Sequence, residues 1–238
     1  TLQQFRCKMC LPNISICAWG SLHAIAVFLF LGSLPTMYRS LAWSLVCSLM
    51  LSGVAVAEDF KTIFDGKTLD GWKVTENKES IKVVDGAIVA KGNRSHAFYV
   101  GDDKPFKNFE FECEVMTLEN SNGGIFFHTK VQEEGWPQQG HECQVNNTFE
   151  RDPRKTASVY RAKDVLEAPA KDNEWFTYNI KVVDRKVTVT INGKVANEYE
   201  EAADKAGPMH ISEGTFALQA HDPGSTVKYR NIRVKRLD

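Results

Sequence analysis

Beyond Ala57 the chain is short of cysteine, of surplus basic charge and of helical periodicity. Four of its six cysteines lie in the first 57 residues, leaving Cys113 and Cys143. That excludes a small scaffold held by several disulfides. Both remaining cysteines alternate in phase with apolar neighbours (Phe109, Phe111 and Val115; Val145), which points them into a core. They can pair only if their strands are adjacent; the alternation leans to two buried free thiols. The first 57 residues carry three basic residues and no acidic one, so the remainder has 26 basic against 30 acidic, net −4. A mildly acidic surface speaks against nucleic acid, whose phosphates call for basic side chains. Internal repeats and low-complexity tracts are lacking too.

The first 57 residues read as a leader. Met37 to Ala57, "MYRSLAWSLVCSLMLSGVAVA", has a basic Arg39, an apolar stretch from Leu41 to Leu51 and an Ala55-Val56-Ala57 cleavage box, with Glu58 as the first mature residue. The apolar run is too short for a stable membrane span. Residues 1–36 read as an upstream segment ahead of a true start at Met37; the rival reading makes Ala24 to Leu34 part of a two-part leader or an anchor. The expectation is an exported protein, periplasmic or secreted, whose residues 58–238 form one domain.

What fills those residues is alternation cut by turns. "KNFEFECEV" puts Phe109, Phe111, Cys113 and Val115 on one face and Glu110, Glu112 and Glu114 on the other, the acidic face reading as plain solvent exposure. "WFTYNIKVV" alternates likewise through Phe176, Tyr178, Ile180 and Val182. Asn192-Gly193 and Asp85-Gly86 each sit between extended runs as two-residue hairpin turns. "TFALQAHDPGSTVKYRNIRVKRL" is a strand, a Pro-Gly turn and a long final strand. About a dozen short strands in this length predict an all-β fold, a two-sheet jelly-roll sandwich. Phe149 to Glu174 is polar and less regular, a surface excursion with one short strand at Ser158 to Arg161.

Three strands carry polar residues on one side. "GHECQVNN" sets Glu142, Gln144 and Asn146 opposite Cys143 and Val145. "NGGIFFHTK" puts His128 on the side of Phe126, and "GTFALQAHD" pairs Gln219 with His221 at a strand end. Carboxamides suit sugar hydroxyls, since each offers a donor and an acceptor. Trp136, in the loop "EEGWPQQG", is placed to stack on a sugar ring. His141 falls on the opposite phase, and His96 and His210 read as surface residues.

The segments "FKTIFDGKTLDGWKV", "NGGIFFHTK", "HECQVNN", "WFTYNIKVVDRKVTVTINGKVANEY" and "GTFALQAHDPGSTVKYRNIRVKRL" occur in an order that resembles the 3-keto-disaccharide hydrolase family, over Phe60 to Leu237. The resemblance implies a concanavalin A-like sandwich in exported bacterial proteins acting on sugars. Two positions depart from the family pattern: His128 stands where relatives often have Arg, and Asn146-Asn147 stand where many have a residue followed by Asp.

Ordinary glycoside hydrolysis needs two carboxylates, and this face offers Glu142 with only the turn residue Asp222 as a partner. A 3-keto sugar needs less: one base to take the C2 proton, a stabiliser for the enolate oxygen, then elimination at C1 and hydration. The expected assignment gives proton transfer to Glu142 or His221, and substrate binding to His128, Gln144, Asn146, Gln219 and Trp136. A divalent metal is an alternative Lewis acid, though no ligand spacing calls for one and no cofactor is otherwise implied. The expected partner is a small carbohydrate; the sequence assigns no oligomeric state. A non-catalytic, lectin-like carbohydrate-binding module is the competing reading, and a structural envelope or adhesion protein a third, since one fold hosts many functions.

Overall fold

The computed structural model describes residues 59–237. The expected leader and cleavage box lie outside the described residues. Thirteen strands are described, in two antiparallel sheets, with one turn of 3-10 helix at Lys78–Ser80. Among the described residues no helix is long and apolar enough to cross a membrane.

The first sheet runs in the order β11 (Lys194–Glu200), β10 (Lys186–Ile191), β9 (Phe176–Val183), β6 (Phe109–Thr117), β13 (Thr226–Arg236), β4 (Ala87–Lys91), β3 (Ile81–Val84), and β1 (Lys61–Thr62) pairs with the far part of β13. The second runs β2 (Trp72–Glu76), β5 (Ser95–Tyr99), β12 (Thr215–Ala220), β7 (Asn122–Thr129), β8 (His141–Asn146). Asp85-Gly86 and Asn192-Gly193 adopt positive φ at both residues (49° and 78°; 50° and 75°) and close the β3–β4 and β10–β11 hairpins. That double left-handed turn matches the twist of the strands it joins.

The alternating apolar side chains meet between the sheets. Phe109, Phe111, Val115, Tyr178, Ile180, Val189 and Tyr229 from the first sheet pack with Ile125, Phe127, Val145, Phe216 and Leu218 from the second, all fully buried. Cys113 and Cys143 are in this core as free thiols, one on each sheet, so their strands are not neighbours. On the outside of the first sheet the glutamates are half-buried in cross-strand pairs: Glu112 accepts from Arg233, Glu114 from Arg230, and Glu110 from Asn179. Plain solvent exposure was expected of that face; its glutamates are instead partly covered by the pairs they make.

The outer face of the second sheet is different. It buries a small apolar cluster of Phe98, Phe126 and Ala217. The excursion after β8 explains part of that cover. It does not form the predicted strand at 158–161, but residues 156–160 run along the free edge of β8: Thr156, Ala157 and Tyr160 donate backbone bonds to the carbonyls of Asn146, Gln144 and Glu142, and Gln144 donates to Ser158. The carbonyls and the amide that an edge strand would leave open are thus paired, which fixes the backbone from which Glu142 and Gln144 project.

Candidate active site

Register brings the polar residues of the second sheet together. Phe126 is opposite Glu142 and Gly124 opposite Gln144 across β7–β8, while Gln219 is opposite His96 across β12–β5. These residues share the outward face with Ala217 and Phe98. Gly124 is what lets them meet: a Cβ there would come within 2.1 Å of Glu142 Oε1. Over that bare backbone Gln219 Nε2 donates to Glu142 Oε1 at 3.1 Å.

A cavity of about 620 Å³ lies above this floor. Glu142, Gln144, Gln219, His221 and Trp136 all line it, so five of the seven sequence-predicted residues converge. Glu142 is 8% exposed, and burial pushes its carboxyl up to about 8, against the opposing bond from Gln219. Burial thus favours its neutral form over the carboxylate. Gln144 donates from Nε2 to Asn122 Oδ1 at 2.7 Å. The Oε1 atoms of Gln144 and Gln219 are both buried and have no protein partner.

His221 stands at the end of β12, half-exposed, between the rings of Trp136 and Phe149 at 5.3 and 5.7 Å. Its Nδ1 is 2.7 Å from Asp222 Oδ2. Burial alone would raise the Asp222 carboxyl, but bonds from His221, from Ser225 Oγ and from the Gly224 N–H hold it below the usual carboxylate range. A carboxylate only accepts, so Nδ1 carries a proton, and Nε2 is the nitrogen not committed to Asp222. Ser225 Oγ also accepts from the Asn122 N–H, tying the His221 mount to the first residue of β7.

His128 and Asn146 do not join them. His128 sits at a register shift in the β7–β12 pairing with φ of 54°, and the bulge turns its ring out of the phase of Phe126. It packs against Phe109 and Phe127, donates from Nε2 to Lys107 O at 2.9 Å and accepts from Ser212 N at Nδ1. Burial lowers it to about 4. Asn146 is fully buried and spent on the chain that follows: Nδ2 donates to the carbonyls of Phe149, Asp152 and Arg154, and Oδ1 accepts from Phe149 N. Asn147, the other departure from the family pattern, likewise bonds Thr117 and Thr156 rather than lining the cavity. The two departures thus fall on scaffold positions.

Other contributors were not singled out by the sequence. His96 is buried rather than on the surface, beneath Trp136 and beside Phe126 at 5.7 and 5.5 Å, and burial lowers it to about 4. Its strand, "SHAFY", is buried at every position, and the pairing of His96 with Phe98 on one side was the available signal. Arg94 lies over Trp136, 5.1 Å from the ring centre, and is ion-paired with Glu76. From the excursion come Asp152 and Tyr160. Asp152 is a second carboxylate, but Arg154 engages both of its oxygens. Among the described residues no group of three or more His, Cys, Asp or Glu side chains is set to hold a metal ion.

A family model described as the 3-keto-alpha-glucoside-1,2-lyase-like domain matches residues 59–235. The chain belongs to this family. A 3-keto-disaccharide hydrolase of Bacteroides thetaiotaomicron is 28% identical over 236 residues, 76% of this chain and 80% of that protein. Among solved structures, a candidate glycosyl hydrolase from Parabacteroides distasonis matches at a TM-score of 0.63 and 24% identity, covering 75% of this chain and 94% of that one. A carbohydrate-binding module from Bacillus subtilis matches at 0.51 and 13% identity, covering 69% and 95%. Both structural likenesses concern the fold alone.

Proposed function

We propose that the chain cleaves 3-keto-glycosides by elimination across C1–C2 followed by hydration. The observation that carries this reading is the pairing, in one cavity, of a buried neutral carboxylic acid, Glu142, with an imidazole, His221, whose Nδ1 is committed to Asp222. Membership of the 1,2-lyase-like family and the name of the Bacteroides relative support the substrate class.

In this reading His221 Nε2 takes the proton from C2, made acidic by the C3 ketone. The electron pair moves onto the C3 oxygen as an enolate. Glu142, protonated because it is buried, donates a hydrogen bond to that oxygen, as a neutral acid in an apolar site does best. The enolate then re-forms the ketone, C1=C2 forms, and the C1–O bond breaks; the imidazolium returns its proton to the departing oxygen. Water adds across C1=C2, hydroxyl to C1 and proton to C2, so the net change is hydrolysis with no redox step. The unpartnered Oε1 atoms of Gln144 and Gln219 accept from ring hydroxyls, and Trp136, 42% exposed, covers the ring. Direct displacement with two carboxylates is the weaker reading, because Asp152 is bound on both oxygens.

The test is turnover of a 3-keto-disaccharide and its unoxidised parent in D2O, with and without a chelator. Cleavage of the oxidised sugar alone, with deuterium at C2 of the hydrated 3-keto sugar and loss of activity in His221→Asn, is expected. Cleavage of the parent at a similar rate, or product without C2 deuterium, refutes the elimination. Loss of activity on adding chelator would move the stabilisation of the enolate oxygen from Glu142 to a metal.

A further inference from the structure

His221 is shared by two hollows. On one side is the cavity floored by Glu142, Gln144 and Gln219. On the other is a shallower depression of about 280 Å³, lined by Asn122, Phe149, Arg151, Asp152, His221 and Asp222. Asn122, Asp152 and His221 belong to both, so the two meet along the imidazole.

The chemistry says which hollow takes which half of the substrate. In the elimination proposed above, the imidazole that takes the C2 proton returns it to the departing oxygen, so the group on C1 lies on the side of His221. With the keto ring over Glu142, the group on C1 is carried across His221 into the depression. Its walls suit a second sugar better than an alkyl or aryl group. Phe149 is held rigid by Asn146, which accepts from its N–H and donates to its carbonyl, and its ring packs against His221. The exposed Arg151 guanidinium lies over that ring at 4.8 Å and makes no ion pair among the described residues. A guanidinium so held has donors to spare for hydroxyls, and Asp222 and Asp152 also line the depression.

We infer that this depression is the subsite for the leaving sugar, and that Arg151 makes the chain selective for disaccharides over simple glycosides. The inference rests on the elimination reading and deepens it. It implies that the departing half is a hydroxyl-rich pyranose or furanose, read by Arg151 and released still in contact with His221, which has just protonated it.

The test compares kcat/KM for a 3-keto-disaccharide and for the methyl 3-keto-glucoside in the full chain and in Arg151→Ala. Arg151 is exposed, so the variant is expected to fold. A charged hydrogen bond lost from the leaving sugar predicts that the ratio of the two kcat/KM values falls about tenfold or more. Arg151→Lys, which keeps the charge but loses the planar fork, should recover part of the ratio. A ratio in Arg151→Ala within twofold of the parent chain overturns the subsite while leaving the elimination standing. Absence of turnover on both substrates in the parent chain overturns the elimination and the subsite together.

Discussion

Replacing Glu142 by Gln should make the protein more stable, and increasingly so as the pH rises. The carboxyl has an ordinary value of 4.5 and is pushed up to about 8 by burial. A group raised in the folded state binds its proton more tightly there than in the unfolded chain. Stability is therefore full below 4.5 and is lost as the pH rises through 8. At pH 7 the folded chain must hold a proton that the unfolded chain has released, at a cost of up to about 3 kcal/mol. Gln keeps the shape and the acceptor for Gln219 Nε2 but titrates nowhere in this range. Thermal melts of the two proteins from pH 5 to 9 should give nearly equal Tm at the acid end. The gap should open to roughly 6–12 °C near pH 7 at this size and level off above 8. The same variant should lose the alkaline fall in kcat/KM expected near pH 8. A gap independent of pH, or a destabilised Glu142→Gln, would show that the carboxylate is ionised in the folded protein, and the role of Glu142 as hydrogen-bond donor to the enolate would go with it.

The acid limb belongs to other groups. His96 and His128 are each lowered from 6.5 to about 4 by burial, so the stability they contribute is complete above 6.5 and is lost as the pH falls through 4; in Glu142→Gln, which removes the opposing proton release of Glu142, urea titrations should show these two histidines taking up about two protons on unfolding near pH 5. Asp222→Asn removes the carboxylate that fixes the His221 tautomer and should lower kcat by at least about 100-fold, with a smaller change in KM, measured by steady-state kinetics. Gly124→Ala drives a methyl group into Glu142 Oε1 and should abolish most activity, a loss that urea melts will separate from simple unfolding. Asn146→Ala strips the donor from three backbone carbonyls and should cost about 2–3 kcal/mol in chemical denaturation.

Much of the frame was legible because period-two alternation is a direct record of two faces. Phe109, Phe111 and Tyr178 lie where the alternation put them, and Asn192-Gly193 makes the turn its dihedrals demand. Glu142, Gln144 and Gln219 were legible for the same reason, each being polar on a strand whose other face is apolar. Alternation fails where the backbone leaves the pleat. One left-handed residue moved His128 from the expected face, and no local pattern announces a bulge whose cause is the pairing of β7 with β12. Asn146 was misread for another reason: its phase was right, but its partners are carbonyls three to eight residues later, and such local capping is invisible without the path of the loop. Asp152 and Tyr160 come from the irregular excursion, where no periodicity exists to read.

The strongest sign that this face is a site is its cost. The Oε1 atoms of Gln144 and Gln219 are buried without a protein partner, and each such acceptor costs about 1–3 kcal/mol. Glu142 adds the proton-holding penalty already described. A wall needed only to cover Phe98, Phe126 and Ala217 would be more stable with leucine in those places. A face without a site can pair its charges across strands, which is what the outside of the opposite sheet does, at Glu112–Arg233 and Glu114–Arg230. The same fold thus presents two polar faces, one whose charges are paired and another whose acceptors are left open at the bottom of a cavity. Only the second gains when hydroxyl donors arrive, and the gain falls on Gln144 and Gln219, which line the cavity with Glu142.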